Sequence, residues 1–574
     1  MRESTSPESE KSSGRIARWL NCLSTPGIVA AVLTGLWSFT PSLLARTWWV
    51  QGAVTAVTVI SAYAVGCLLE WVVRSFDEND RLGSPRLRAV SRRIITGIAV
   101  VGLPIMIGLG IWWQSRQRDL LGMPPLGAWE AIGFVLSVVI VPVLFIPVLG
   151  FARLLRRASQ SVGAFLRRML PRRLANVLAA LLVALLAFNL VNGVLITRIV
   201  RGLDESFQVA AGFFDPGSEP PESSLRSGSP GSLVPWDDLG REGRRFVTRG
   251  PSKDEIARFE QTRSGAGAST EAEDPIRVYA GLTESLESSA NLIVGELDRT
   301  GAWDREAILI VATTGSGWVD EPLVSSFEFL HGGDSAVAAM QYSYLPSWMA
   351  FLGDRGTPPV ASQQLFTAVA ARLTEIPVAE RPKLYVAGLS LGSYGMQSAF
   401  ANLSDLRTRT DGAVFAGTPY FVPMWNDLTN SRDDGSTQVE PVVDGGQKVR
   451  FYTGEPGQLE GDWAFPRVAY LQHGTDGTTW WDPSLFYSEP AWMDEDPAPG
   501  VMDEVAWFPV TSFWQVAFDL FFAAGSDVPM GTGHHFQQEY VNAFAAVCDV
   551  PGWTAADTEL LRAEIARRAV RQQN

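Results

Sequence analysis

The chain of 574 residues carries 47 Lys and Arg against 61 Asp and Glu, a net charge of −14 that is unevenly spread. Residues 1 to 198 sum to +12 and are apolar; residues 199 to 574 sum to −26 and are rich in Gly, Pro and Trp. An acidic C-terminal part repels phosphate, which excludes nucleic acid as a partner, and three cysteines, Cys22, Cys67 and Cys548, supply no disulfide framework.

A helix needs about 20 apolar residues to cross a bilayer, and five stretches read as spans: Pro26 to Ala45, Trp48 to Val73, Ile94 to Trp113, Ala131 to Leu149 and Leu174 to Thr197. The first is the weakest, with Pro41 and several hydroxyls inside it. Arg2, Lys11, Arg15 and Arg18 precede it, and six arginines from Arg74 to Arg93 and seven from Arg153 to Arg173 follow the second and fourth spans. The opposite loops hold only Arg46, Arg116 and Arg118. Positive charge stays cytoplasmic, so five spans place the C-terminal part outside the cytoplasm. Glu70 and Glu130 lie near span ends, and Asn189 and Asn192 read as helix-joining residues.

Three regions follow from these patterns: a transmembrane helical domain over 1–205, a linker over 206–275 and a catalytic domain over 276–574. The linker is rich in Ser, Gly, Pro and charge, a composition that buries little apolar surface. From Ile276 onward strands alternate with helices: IRVYAGL, AILIVATTGSGW, KLYVAGLSLGSYG, GAVFAGTPY and RVAYLQHGTD are strand-like, with helical spacing between them. This alternation predicts an α/β fold with a mostly parallel sheet, behind an all-α membrane bundle.

Gly388-Leu389-Ser390-Leu391-Gly392 fits G-x-S-x-G between an apolar strand and a helix. That setting lifts a serine onto a sharp turn above the strand ends. Serine needs a histidine base, and the chain order Ser, acid, His points to His534 or His535, with His534 preferred. His331 and His473 read as structural. Asp476, after the strand RVAYL, is the preferred acid, with Asp427 and Asp482 as alternatives. The oxyanion-binding N–H groups are expected from Leu391 and from Gly315 or Ser316. Trp480, Trp481, Phe486, Trp492, Trp507, Phe508, Phe513 and Trp514 crowd the stretch between acid and histidine, as either a lid or acyl pocket or ordinary core. No metal motif or phosphate loop is present, and serine chemistry requires no cofactor.

The stretches IRVYAGL, ATTGSGWVDE, MQYSYLPSWMAFL, RPKLYVAGLSLGSYG, VRFYTGEP and GTGHHF resemble an actinobacterial membrane family that joins an N-terminal helical domain to a C-terminal α/β-hydrolase domain. Two positions depart from it. The family often has Glu before the nucleophile, where this chain has Leu389, and tends to read Gly-His-Gly-His, where this chain has Gly531-Thr532-Gly533-His534. His534 then falls on the second family histidine. The resemblance implies serine-hydrolase machinery acting on an ester or thioester of a lipid-like molecule at the membrane. Acyl transfer to an envelope acceptor, or an inactive membrane scaffold, are the competing functions.

Overall fold

A computed structural model describes residues 23–76, 85–189, 218–264 and 272–573. The chain divides into two compact units. The first takes Met1–Asn189 together with Asp482–Asp494 and Val501–Asp519; the second takes Leu190–Trp481, Glu495–Gly500 and Leu520–Asn574.

The first unit is helical: α1 (Thr25–Trp37), α2 (Trp48–Phe76), α3 (Pro85–Leu120), α4 (Ala128–Leu166) and α5 (Arg172–Phe188). Three of these, over Trp48–Arg74, Arg86–Leu120 and Ala128–Leu166, are long and apolar enough to cross a membrane. Their large side chains point outward, as with Val100 and Trp129 at 68% and 83% exposed, which suits a surface bathed in lipid. The expectation of about five spans is corrected at the first and extends beyond the described residues at the fifth. The first expected span stops being helical at Trp37, and the fifth is helical to Phe188, with residues 190–197 outside the described residues.

The break after Trp37 has a physical cause. Pro41 cannot donate an N–H, and the hydroxyls of Ser38, Thr40 and Ser42 compete for backbone partners. The loop is nevertheless buried, with Phe39, Leu43 and Leu44 in the unit's core. Away from water every backbone group needs a partner, and side chains supply them. Gln51 donates to the Ser38 carbonyl at 2.9 Å, Gln117 to that of Ser42 at 2.6 Å, and Arg46 and Gln515 both donate to that of Thr40. Gln114 accepts from the Arg46 N–H, and Asp519 accepts from the Ser42 hydroxyl and the Leu43 N–H, each at 3.0 Å.

Gln515 and Asp519, within the stretch 276–574 expected to form the catalytic domain, pack with the helices of the first unit. They lie one turn apart on the helix Thr511–Phe522, so both meet the same loop. Trp514 of that helix donates to Ser61 Oγ at 3.0 Å, and Phe508 stacks on Trp37.

The second unit is built on a seven-stranded parallel sheet in the order β1-β3-β2-β4-β5-β7-β6. Its strands are β1 (Ile276–Ala280), β2 (Ala307–Ala312), β3 (Ser335–Met340), β4 (Lys383–Leu389), β5 (Gly412–Ala416), β6 (Val449–Tyr452) and β7 (Arg467–Leu471). The strands are buried almost throughout, as a parallel sheet covered on both faces requires. Their carboxyl ends share one edge, where open α/β sheets form their sites.

Part of the expected linker is folded into this unit. Arg226 bridges to Arg277 of β1, and helices span Gly240–Arg249 and Lys253–Ser264. Buried charge overrides the polar composition here. Arg277, fully buried, grips Glu321 and Glu328 through four bonds of 2.7–2.8 Å and also donates to the Phe246 carbonyl. Arg226 donates to the carbonyls of Val247 and Pro251. Residues 265–271, also assigned to the linker, lie outside the described residues.

Replacing Asp519 by alanine should orphan the Ser42 and Leu43 donors at about 1–3 kcal/mol for each buried group. The purified full-length protein should melt clearly lower in detergent, with Asp519→Asn intermediate. Equal melting of Asp519→Ala and wild type would contradict this account of the loop.

Candidate active site

β4 delivers Ser390 into a turn that few side chains tolerate. Ser390 sits at φ 57° and ψ −122°, directly before the helix Leu391–Gln397, and left-handed backbone at a non-glycine residue marks strain at a functional position. The flanking glycines make the turn possible. A Cβ on Gly388 would strike the Gly392 backbone, and one on Gly392 would strike the Ala312 carbonyl at the end of β2. The Ser390 N–H donates to the Ala416 carbonyl at 3.0 Å, pinning the turn to the end of β5.

β7 ends at Leu471, and the loop beyond it carries Asp476. Asp476 is fully buried. Its Oδ1 accepts from the Thr478 N–H at 2.9 Å, and its Oδ2 lies 2.6 Å from His534 Nδ1. A charge-assisted bond of that length fixes the ring's orientation. The other ring nitrogen, Nε2, is buried and has no hydrogen-bond partner. Gly417, the residue after Ala416, packs so closely on the His534 ring that a Cβ there would collide with Cε1. The Ala416–Gly417 corner thus holds Ser390 by its backbone and His534 by its ring, and the structure brings Ser390, Asp476 and His534 to one edge of the sheet.

The alternatives lie elsewhere. Asp427 is exposed on the helix Pro423–Asn430, and Asp482 caps the turn Pro483–Phe486. His331 packs its ring, tilted, against that of Phe327 and lies 3.5 Å from Glu306, which precedes β2, so it belongs to the opposite end of the sheet. His535 is adjacent to His534, but burial pushes its imidazole below the usual range.

The loop after β2 carries Gly315 and Ser316. The Gly315 N–H donates to Ser347 Oγ at 3.3 Å, and a Cβ at Gly315 would press on the Leu345 carbonyl. Leu391 is buried among Leu345, Met349, Ala350 and Phe351, with Tyr420, Phe421 and Trp481 against them. Of the expected lid or pocket aromatics, Trp480 and Trp481 stay in this unit, and Phe508, Phe513 and Trp514 belong to the helical one.

His473, read from the sequence as structural, and Asp320, which the sequence reading did not single out, both pack near the histidine loop. His473 Nδ1 meets the Gly533 carbonyl at 2.9 Å, and its Nε2 meets Glu539 Oε1 at 3.4 Å. The Gly533 carbonyl and the Glu539 carboxylate are both acceptors, so this setting favours an N–H on each ring nitrogen. Thr475 Oγ1 accepts from the Gly533 N–H at 2.8 Å. The acid loop therefore clamps both peptide groups of the residue before His534. Asp320, which ends the loop after β2, accepts from Tyr540 at 2.9 Å; burial pushes its carboxyl up to about 7, and the tyrosine's bond opposes that. Spacing could not have revealed either contact, because the partners are 66 and 220 residues apart.

Over residues 276–561 the chain matches the sequence model of a family described as "Alpha/beta-hydrolase family", and over residues 39–251 that of the "Alpha/beta-hydrolase family N-terminus". No curated protein and no solved structure matches it.

Burial pushes His473 down, but the bond and charge of Glu539 and the Gly533 carbonyl outweigh it and hold the imidazole above its ordinary 6.5. Burial likewise pushes Glu539 up, and His473 with nearby backbone N–H groups holds it below its ordinary 4.5. The raised histidine stabilises the fold fully below 6.5 and loses that contribution as pH rises through its folded value; the depressed glutamate contributes above 4.5 and loses it as pH falls through its own. Glu539→Gln should therefore lower the melting temperature most near pH 6 and less at pH 9. A deficit independent of pH across that range would show that the pair is not ionised as described.

Proposed function

The chain belongs to the alpha/beta-hydrolase family, and on that premise we propose that it is a membrane-anchored serine hydrolase cleaving acyl esters or thioesters of lipid-like molecules. Ser390 is the nucleophile, His534 the base and Asp476 the residue that orients it. The observation that carries the reading is the 2.6 Å contact of Asp476 with His534 Nδ1, with the unpartnered Nε2 on the far side of the ring.

The chemistry follows from that arrangement. Asp476 accepts the Nδ1 proton, so neutral His534 presents a lone pair on Nε2. As Ser390 Oγ bonds to the acyl carbon, its proton passes to Nε2, and the carbonyl π pair moves onto oxygen. The Leu391 N–H, in the first turn of its helix, receives that oxyanion. Of Gly315 and Ser316, the former already donates to Ser347, which favours Ser316 as the second donor. Collapse re-forms the carbonyl and breaks the bond to the leaving alkoxide or thiolate, which takes the proton from Nε2. Water then repeats the sequence on the acyl-serine and frees the acid. The three helices long and apolar enough to cross a membrane support a lipid-like substrate.

The charge bias supports a catalytic unit outside the cytoplasm. α1 and the loop after it must then complete one crossing together. Ser24 bonds to Glu70 and Ser38 to Thr55 on α2, and the 13 residues of α1 alone cover about 20 Å at 1.5 Å per residue, short of the roughly 30 Å hydrocarbon core.

Two experiments test the reading. With purified full-length protein and p-nitrophenyl esters of short and long acyl chains, Ser390→Ala and His534→Ala should each lose on the order of 10⁶ in kcat. Asp476→Asn should lose about 10⁴, and His535→Ala should be milder. An inactive His535→Ala beside an active His534→Ala would reassign the base; a wild type as inert as Ser390→Ala would leave a scaffold. For topology, a reporter active only outside the cytoplasm, fused at the C-terminus, should be active. Activity only from a cytoplasmic reporter would reverse the orientation.

A further inference from the structure

We propose that the basic end of the helical unit holds a binding site for an anionic phospholipid. A cavity of about 910 Å³ lies there, between the start of α1, the end of α2, the start of α3, the end of α4 and α5. That volume is at the upper end of the range for small-molecule sites. Arg74, Arg88, Arg92, Arg156 and Arg167 line it, and among the described lining residues Glu70 is the one carboxylate. Glu70 is already engaged by Arg74 at 2.5 Å and by the Ser24 hydroxyl. Arg92 donates to the Leu23 carbonyl and Thr25 Oγ1, both of them neutral groups.

The retention of positive charge on one side of a membrane explains arginines in these loops, but not their convergence on a cavity. The other end of the unit behaves differently. There Arg46 bonds to backbone carbonyls, Arg116 pairs with Glu504, and Arg118 pairs with Glu130. At the basic end Arg74, Arg92, Arg156 and Arg167 converge, and among the described lining residues Glu70 is the one carboxylate, a balance that suits a phosphodiester.

The remaining walls select a lipid over a soluble phosphate. Trp71, Leu155, Ala180, Val183 and Ala184 line the same cavity. Ala180, Val183 and Ala184 repeat at three and four residues along one face of α5. Trp71 is 65% exposed, and Leu68 and Leu69 beside it are more than half exposed, so the cavity is continuous with a surface made for acyl chains. A charged pocket with an apolar flank fits a headgroup and its first methylenes.

The test uses full-length protein in neutral detergent and native mass spectrometry with added phosphatidylglycerol, cardiolipin or phosphatidylcholine. Two double variants carry the comparison. R156Q/R167Q removes two cavity arginines; R157Q/R168Q removes the same charge from adjacent positions that do not line it. The expected result is retention of anionic lipid over phosphatidylcholine, weakened at least tenfold in R156Q/R167Q and kept in R157Q/R168Q, with R156K/R167K close to wild type. Equal weakening in both glutamine pairs would mean diffuse surface charge and overturn the site, as would equal retention of phosphatidylcholine. Displacement of the lipid by inorganic phosphate at equal concentration would overturn the lipid in favour of a soluble anion. Should R156Q/R167Q not fold, Arg167→Gln alone is held to the same criteria.

Discussion

The strained turn at Ser390 is the constraint on which the proposed catalytic arrangement depends. A left-handed backbone at a residue with a side chain is unfavourable and persists only where its surroundings over-determine it. Here three parallel strands do so. β4 leads into the turn, β2 approaches so closely that position 392 must be glycine, and β5 supplies the carbonyl that accepts the Ser390 N–H. The same β5 end then turns through Gly417, whose missing side chain is the space occupied by His534. One sheet edge thus fixes the serine from below and the imidazole from the side, and little is left to side-chain freedom.

A second theme recurs in both units: buried polar side chains serve the backbone. The loop Ser38–Arg46 has no helical ladder, so Gln51, Gln114, Gln117, Gln515 and Asp519 complete its hydrogen bonds. Near the catalytic edge, His473 and Thr475 hold the carbonyl and the N–H of Gly533. In each case the side chains hold backbone groups that burial has cut off from water. That makes these residues structural supports, although their types alone would suggest chemistry.

The sequence made the local features legible and left the long-range ones hidden. G-x-S-x-G with a strand before and a helix after located Ser390, and strand order pointed to the Asp476 loop, because both signals lie within a few residues. The parallel sheet was legible for the same reason. The first span was misjudged because hydropathy averages over Pro41 and does not register where a helix stops. The stretch before Ile276 read as a linker on composition, which cannot reveal that Arg277 would recruit the Phe246 carbonyl. Nor can it reveal that Asp519 meets Leu43 across 476 residues, so the stretch between acid and histidine read as one piece with the catalytic domain. Contacts of that separation are decided by tertiary packing and leave no periodic trace.

The central claim is that Ser390 is a nucleophile activated by His534. The most direct measurement is covalent labelling of the full-length protein by a fluorophosphonate, followed by mass mapping of the modified peptide. The account predicts one phosphonate adduct, on Ser390, formed in the wild type and lost in His534→Ala even though the serine remains. Labelling at another residue, or labelling of Ser390 that is indifferent to His534, would contradict it.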